Sequence, residues 1–236
     1  MKTTLLFLSV FLSATLFGQN VNIPDTNFKS YLIGNSEINT NGDTEIQVSE
    51  ASVFNGVIDC SNLSISDLTG IEAFTSLTDL VCNENQLISI DVSQNLVLEG
   101  LACGNNLITS LDLSLNTSLY VLYCPENQLS CLNIKNGNNT NFWQFYVSEN
   151  PNLSCIEVDD AVWSSVNWTG IDFQASFSDD CNNDCSSSTT GINQLNTTKN
   201  LIKTLDLMGR ETSFKPNTLL IYVYDDGSIE KVFSLE

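Results

Sequence analysis

The sequence contains no histidine and few basic residues. Its 236 residues include 8 Lys or Arg against 28 Asp or Glu, which gives a formal net charge of −20. Without histidine, the usual partner of a catalytic nucleophile is missing, and neither a G-x-S-x-G element nor a glycine-rich phosphate loop is present. We therefore expect a protein that is not an enzyme. The scarcity of Lys and Arg also argues against nucleic-acid binding, which depends on neutralising phosphates.

Apolar runs long enough to span a membrane are also missing. The longest extends from Leu5 to Phe17 behind Lys2 and ends at Gly18. A membrane-spanning helix needs roughly 20 apolar residues. A basic start, a short apolar run and a small residue at its end are typical of a secretory signal peptide, to which we assign residues 1–18. The sequence thus predicts an exported protein, secreted or attached to the outer-membrane surface, without membrane insertion.

The acidic residues are concentrated in the middle of the chain. Residues 19–185 contain 22 acids and only Lys29 and Lys135 as basic residues. Such a surface favours a cation, a basic protein patch or a neutral glycan over anionic partners. Alternatively, the charge simply keeps an exported protein soluble.

A repeat of 21 residues dominates the sequence between residues 77 and 139. Segments starting at Leu77, Leu98 and Leu119 align with each other without gaps. Four columns recur at this spacing: Leu80, Leu101 and Leu122; Cys82, Cys103 and Cys124; Asn85, Asn106 and Asn127; and Leu87, Ile108 and Leu129. Irregular copies precede and follow them, as capping repeats do.

The columns resemble the leucine-rich-repeat family, L-x-x-L-x-L-x-x-N-x-L, over residues 57–158. The resemblance implies an α/β solenoid: a short leucine-rich-repeat stack with a parallel concave sheet. We expect strands around residues 79–83, 100–104, 121–125 and 144–148, with the Asn column bonding backbone groups of neighbouring coils. A second apolar pair in each repeat, such as Leu111 and Leu113, predicts an extended convex side instead of helices.

The eight cysteines fall into two sets of four. Cys60, Cys82, Cys103 and Cys124 occupy one inward column, where neighbouring strands are about 4.8 Å apart, and we interpret them as buried thiols. The other four are Cys131, Cys155, Cys181 and Cys185, near the end of the repeats. We favour a Cys155–Cys181 disulfide in a C-terminal cap over residues 159–185, although the sequence leaves the connectivity open.

Residues 19–56 predict a cap of two short helices joined by a polar loop. The loop carries Asn39, Asn41, Asp43, Glu45 and Glu50, and this spacing resembles a calcium-binding EF-hand loop. Asn replaces the usual first Asp, and Thr replaces the usual turn Gly. The arrangement also resembles the caps of internalin-like leucine-rich-repeat proteins, which look like EF-hands without an ion. Calcium is therefore a possible ligand here, and the chain predicts no other cofactor.

Residues 186–236 predict a linker followed by a small β domain. A strand-like stretch at Leu201–Leu207 precedes a hairpin of Leu219–Tyr224 and Ile229–Leu235. With Gly209 and Arg210 between them, these segments resemble the C-terminal sorting domain of the type IX secretion system of Bacteroidota. The resemblance implies that the type IX secretion machinery exports the chain.

The function that best fits these features is a secreted or cell-surface binding module for an extracellular protein or glycan, with adhesion among its roles. The alternative is a structural surface protein without a discrete ligand. Binding would involve outward strand positions and aromatic residues at one end of the concave sheet. These candidate binding residues are Asp79, Val81, Tyr120, Tyr123, Trp143 and Tyr146. The same aromatic residues would otherwise cover the end of the core.

Overall fold

The computed structural model describes residues 18–182, 185, 201–205, 210–212, 219–224 and 229–233. The chain divides into two compact units, Met1–Ser187 and Ser188–Glu236. The predicted signal peptide, apart from Gly18, and most of the predicted linker lie outside the described residues. Within the described part of the chain, no helix is both long and apolar enough to cross a bilayer.

The described residues of the first unit form three short α-helices and nine strands of three residues each. The helices are α1 (Thr26–Gly34), α2 (Val48–Ala51) and α3 (Ala161–Asn167). The strands are β1 (Val57–Asp59), β2 (Asp79–Val81), β3 (Gly100–Ala102), β4 (Ser110–Asp112), β5 (Val121–Tyr123), β6 (Cys131–Asn133), β7 (Gln144–Tyr146), β8 (Cys155–Glu157) and β9 (Ser176–Ser178). Two 3-10 helices, Ile71–Ala73 and Asn139–Asn141, complete it.

The concave sheet is parallel and has the order β1-β2-β3-β5-β7. Its register follows the repeat, since Leu80 pairs with Leu101 and Leu101 with Leu122. These strands are two residues shorter than the sequence predicted. The column cysteines therefore lie just beyond the strands, where Cys82 N–H still donates to Ala102 O of the next coil at 2.8 Å.

The convex side carries a second parallel sheet, with the order β4-β6-β8-β9. Leu111 pairs with Leu132, and Leu132 pairs with Ile156. The convex segments are thus extended, as the second apolar pair of each repeat predicted. The two sheets enclose a continuous core in which the column leucines are fully buried.

The column thiols Cys60, Cys82, Cys103 and Cys124 are free and buried. Burial raises the pKa of the Cys60 thiol from 9.0 to about 12, and it raises the pKa values of Cys82 and Cys103 as well. A thiol with such a pKa stays protonated at neutral pH, and it packs as a small apolar side chain.

Asparagine side chains join the coils on both sides of the core. The concave ladder consists of Asn85, Asn106, Asn127 and Asn150. The Nδ2 group of each donates to a backbone carbonyl of the preceding coil. The Oδ1 atom of each accepts from a backbone N–H of that coil. The convex ladder consists of Asn95, Asn116 and Asn136, which donate to carbonyls of the preceding coil. The sequence analysis found the first ladder and missed the second.

The N-terminal cap closes the first coil with α1 and α2. The N-terminus of α1 is capped by Asp25, whose Oδ1 accepts from Asn27 and Phe28 N–H at 2.9 and 3.0 Å. Phe28 and Leu32 of this helix are fully buried. The hydroxyl of Tyr31 accepts from Asp59 N–H at 3.0 Å, so the cap covers the edge of the concave sheet.

Two disulfides fasten the C-terminal cap. The structure joins Cys155 to Cys181, the pair favoured from the sequence, and Cys131 to Cys185. The carbonyl of Cys185 also accepts from Ser110 Oγ at 2.7 Å. These contacts therefore join the end of the first unit to β4, β6 and β8 of the convex side.

The second unit contains an antiparallel sheet of β10 (Leu201–Leu205), β11 (Leu219–Tyr224) and β12 (Ile229–Phe233). Ile221 pairs with Leu205 on one side and with Lys231 on the other. These strands occupy the segments in which the sequence predicted a strand and a hairpin. The hairpin turn itself falls outside the described residues.

Candidate binding site at the C-terminal end of the concave face

The outward positions of the concave strands form two rows across the sheet. One row contains Asp79, Gly100, Val121 and Gln144, and the other contains Val81, Ala102, Tyr123 and Tyr146. Small residues therefore occupy the centre of the face and aromatic residues occupy its C-terminal end. The Asp79 carboxylate fills the space beside Gly100, and the two tyrosine rings follow Ala102 in the second row.

The rings of Tyr123 and Tyr146 stack on each other, with centroids 5.6 Å apart and an interplanar angle of 13°. Both remain more than a third exposed, and Trp143, next to β7, is 72% exposed. Large aromatic side chains that keep this much surface in water are available for contact with a ligand. Three of the predicted binding residues thus lie together at one end of the sheet.

A pocket of about 400 Å³ opens beside these residues. Its lining combines the segment around β7 with the segment that follows α3: Phe142, Trp143, Phe145, Tyr146, Trp163, Asn167, Trp168, Thr169 and Gly170. Six of these nine residues are aromatic and none of them carries a charge. The volume lies within the range of small-ligand sites.

Packing between the two segments fixes the floor of the pocket. Trp168 is 6% exposed, and its indole stacks on the Phe145 ring with centroids 4.2 Å apart. The ring of Trp163 meets it edge-on, with centroids 5.6 Å apart. Gly170 lies against β7: a Cβ there would come within 2.7 Å of the Phe145 carbonyl oxygen. Since glycine has no side chain, the chain at Gly170 can approach β7 closely. Val147 N–H therefore donates to Gly170 O at 2.7 Å.

The other predicted binding residues lie apart from this pocket. Asp79 and Val81 are on β2, separated from β7 by β3 and β5, which corresponds to about 14 Å across the sheet. Tyr120 precedes β5 and donates its hydroxyl hydrogen to Glu99 Oε2 at 3.1 Å. This hydrogen bond raises the pKa of Tyr120. Its phenol is therefore held by its own chain.

The loop that resembles an EF-hand directs its oxygens to its own chain. Glu50 accepts from Thr40, Asn41 and Gln47 backbone N–H at 2.9 to 3.1 Å, while Lys29 Nζ contacts both carboxylate oxygens of Glu45 at 2.8 Å.

The remaining predicted ligands are used in the same way. Asn39 donates to the carbonyls of Ile33 and Asp43, and the Asp43 carboxylate accepts from Glu45 N–H and from the amides of Asn41 and Gln47. No group of three acidic or cysteine residues suited to a metal occurs among the residues described. Calcium would therefore have to displace Lys29 and several backbone and amide donors from the predicted ligands.

No protein-family model matches the chain. Internalin J of Listeria monocytogenes serotype 4b is 40% identical to it over 72 residues, which is 30% of this chain and 8% of that protein. The chain therefore aligns with less than a tenth of this curated relative. Together with the register and the asparagine ladder of this chain, this similarity supports a leucine-rich-repeat stack.

Two solved structures from Listeria monocytogenes show similarity as well. The functional domain of InlJ, described as including a cysteine ladder, is 29% identical, with coverage of 60% of this chain and 33% of that chain and a TM-score of 0.44. The internalin InlF is 18% identical, with coverage of 67% and 58% and a TM-score of 0.47. Both TM-scores are below 0.5, so our description of the fold depends on this chain's own geometry.

Two of the nine lining residues, Trp143 and Tyr146, were predicted as binding residues from the sequence, and the other seven were not. The available signal was aromatic density, since three Trp and two Phe fall within residues 142–145 and 163–168. Trp168, which was not among the predicted binding residues, covers the core, whereas Trp143, Tyr123 and Tyr146 remain exposed.

Proposed function

We propose that the chain is an extracellular binding module that contacts a protein or glycan partner through the C-terminal end of its concave face, with adhesion as the biological outcome. The exposed Tyr123–Tyr146 stack, next to Ala102 in the outward row, carries the proposal. A stacked pair fixed on neighbouring strands loses little conformational freedom when a partner contacts it. The likeness to internalin J, 40% identical over 72 residues, adds support.

The proposal is one of binding without catalysis. Among the described residues that line the pocket, the only titratable side chain is the phenol of Tyr146, and none is a carboxylate or thiol. General acid–base catalysis needs a group whose pKa lies near the working pH. The lining instead offers aromatic faces, one amide and one hydroxyl, which are groups for recognition.

Binding is tested by comparing wild-type protein with Tyr123→Ala. Fluorescently labelled full-length chain is incubated with intact cells and with beads coated with cell-surface protein or polysaccharide. We expect retention on at least one surface to fall about tenfold or more in Tyr123→Ala. Ile88→Ala, at a residue that is 63% exposed and outside the site, is the matched control. Equal retention of all three proteins would favour the structural surface protein without a discrete ligand.

We propose further that residues 1–18 and 186–236 direct export, the first as signal peptide and the second as a type IX sorting domain. Support comes from the apolar start of the sequence and from the antiparallel β10-β11-β12 sheet. The test is expression of the full chain, and of a version lacking residues 186–236, in Bacteroidota cells with and without a working type IX system. The sorting assignment would be contradicted if secretion were the same without residues 186–236 and in cells that lack a working type IX system.

A further inference from the structure

The aromatic pocket beside β7 is a site distinct from the open face of the concave sheet, and its chemistry defines what it accepts. We propose that it binds a neutral sugar ring of an extracellular glycan. This inference deepens the proposed function and depends on it, since it names the ligand class for the part of the binding face formed by Trp143, Tyr146 and the C-terminal cap.

Charge is the first argument. The chain has a net charge of −20, yet none of the nine described lining residues is acidic or basic. An anionic ligand would lack a partner in the lining and would be repelled by the surrounding surface. A cationic ligand would be drawn towards the acids outside the pocket, because the pocket contains no carboxylate to pair with it. A ligand without charge is the class that matches.

The mixture of groups is the second argument. A pyranose ring has apolar C–H faces and a rim of hydroxyls, so it needs flat apolar surfaces together with a few uncharged hydrogen-bonding groups. Trp143, Tyr146 and Trp163 supply the surfaces, and the side chains of Asn167 and Thr169 supply the polar groups. Ligand sites of this size commonly combine mostly apolar walls with a few polar groups.

Rigidity is the third argument. The floor is fixed by the stacking of Trp168 on Phe145, whose ring centroids are 4.2 Å apart. The segment that carries Trp163 begins at α3, whose N-cap Asp160 accepts from Trp163 N–H at 2.9 Å. The Cys155–Cys181 disulfide encloses this segment in the chain. A preformed pocket keeps the entropy cost of binding low, which weakly binding sugars require.

A peptide strand is the competing occupant, and the backbone argues against it. Peptides commonly add to the free edge of a sheet, where main-chain hydrogen bonds supply the affinity. Next to this pocket the edge beyond β7 is already covered, because Val147 N–H donates to Gly170 O at 2.7 Å. The pocket therefore offers side-chain surfaces without a strand edge.

The test measures binding to the full-length chain by calorimetry and by tryptophan fluorescence. The probes are short neutral oligosaccharides of glucose, mannose, xylose and galactose, with oligogalacturonate and chitosan oligomers as charged counterparts and N-acetylphenylalanine amide as the peptide-like probe. The main variant is Trp143→Ala, chosen because the 72% exposed side chain contributes little to the core. Phe173→Ala is the matched control, since Phe173 is fully exposed and outside the lining.

We expect at least one neutral oligosaccharide to bind and to shift the tryptophan emission. Trp143→Ala should weaken this binding about tenfold or more, Trp143→Phe should retain part of it, and Phe173→Ala should leave it unchanged. Unchanged thermal melting of Trp143→Ala shows that the loss is local.

Three results would overturn the inference: no neutral oligosaccharide binds, binding is indifferent to Trp143→Ala, or only a charged or peptide-like probe binds. Retention that still depends on Tyr123 while no sugar binds would remove the pocket assignment and leave the proposed function standing. Sugar binding in the pocket without Tyr123-dependent retention would support the pocket assignment. It would also remove the Tyr123–Tyr146 stack from the proposed function.

Discussion

Replacing Asn106 by Ala tests how the concave ladder stabilises the stack. Asn106 is 6% exposed, and its Oδ1 accepts from Leu87 N–H at 3.0 Å. Its Nδ2 donates to three carbonyl oxygens, those of Cys82, Cys103 and Gly104. The substitution therefore affects one backbone donor and three backbone acceptors.

The substitution affects these four backbone groups unequally. Each carbonyl keeps a second donor: Asn85 Nδ2 for Cys82, Asn127 Nδ2 for Cys103 and Glu84 N–H for Gly104. Leu87 N–H, at a fully buried residue, loses its acceptor. One orphaned buried donor costs about 1–3 kcal/mol. With a small addition for the weakened carbonyls, we expect Asn106→Ala to lower the free energy of unfolding by about 2–3 kcal/mol.

Asn95 in the convex ladder is the matched control. It is completely buried, and its Nδ2 donates to the carbonyls of Ile71 and Phe74. Both carbonyls keep another donor, Phe74 N–H and Leu77 N–H respectively. Asn95→Ala therefore orphans no backbone group, and we expect a cost of about 1 kcal/mol or less.

The assay is thermal and urea unfolding of the purified full-length chain with its disulfides intact. A loss of about 2–3 kcal/mol corresponds to a decrease of about 5–10 °C in the melting temperature for a domain of this size. Asn95→Ala should fall well short of that. Equal losses for the two variants, or an unchanged melt for Asn106→Ala, would refute the reasoning that an orphaned N–H sets the cost.

Further predictions concern the turns, disulfides, thiols and cap. Glu126 has φ +53°, the region occupied by Asn105 one repeat earlier, so Glu126→Asn should add about 0.5–1 kcal/mol in urea unfolding. Replacing Cys155 and Cys181 by Ser opens a link across 26 residues and should cost about 3 kcal/mol or less, because the second disulfide remains; an unchanged melt would contradict this. The raised pKa of Cys60, from 9.0 to about 12, means that the folded state keeps a proton that the unfolded state loses. Stability should therefore fall as the pH rises above about 9, less steeply in Cys60→Ala. Millimolar calcium should leave the melting temperature unchanged, because the cap oxygens are bonded to their own chain; an upward shift abolished by Glu50→Gln would contradict this.

The repeated part of the fold could be predicted because a solenoid has mainly nearest-neighbour contacts. Residues 21 apart in the sequence, such as Leu80 and Leu101, become neighbours in space. A column in the alignment is then a row in the structure. The convex ladder of Asn95 and Asn116 has the same spacing, and it could have been found in the same way.

The N-terminal loop shows what the spacing of residues leaves open. The positions of Asn39, Asp43 and Glu50 resemble those of calcium ligands, but a ligand set also requires free oxygens that converge. Lys29 reaches Glu45 from α1, 16 residues away. That contact depends on how the helix packs, and the loop sequence does not encode it.

By itself, the sequence determined the period, the inward columns and the extended convex side. Each depends on the alternation of apolar and polar residues and on the pairing of equivalent residues in successive repeats. The tertiary structure alone decided the pocket and the full disulfide pairing. Trp143 and Tyr146 meet Trp163, Asn167 and the chain around Gly170 through packing of a cap that has no repeat. Contacts between non-repeating segments follow no spacing rule, since they are set by which surfaces fit when the chain closes the end of the core.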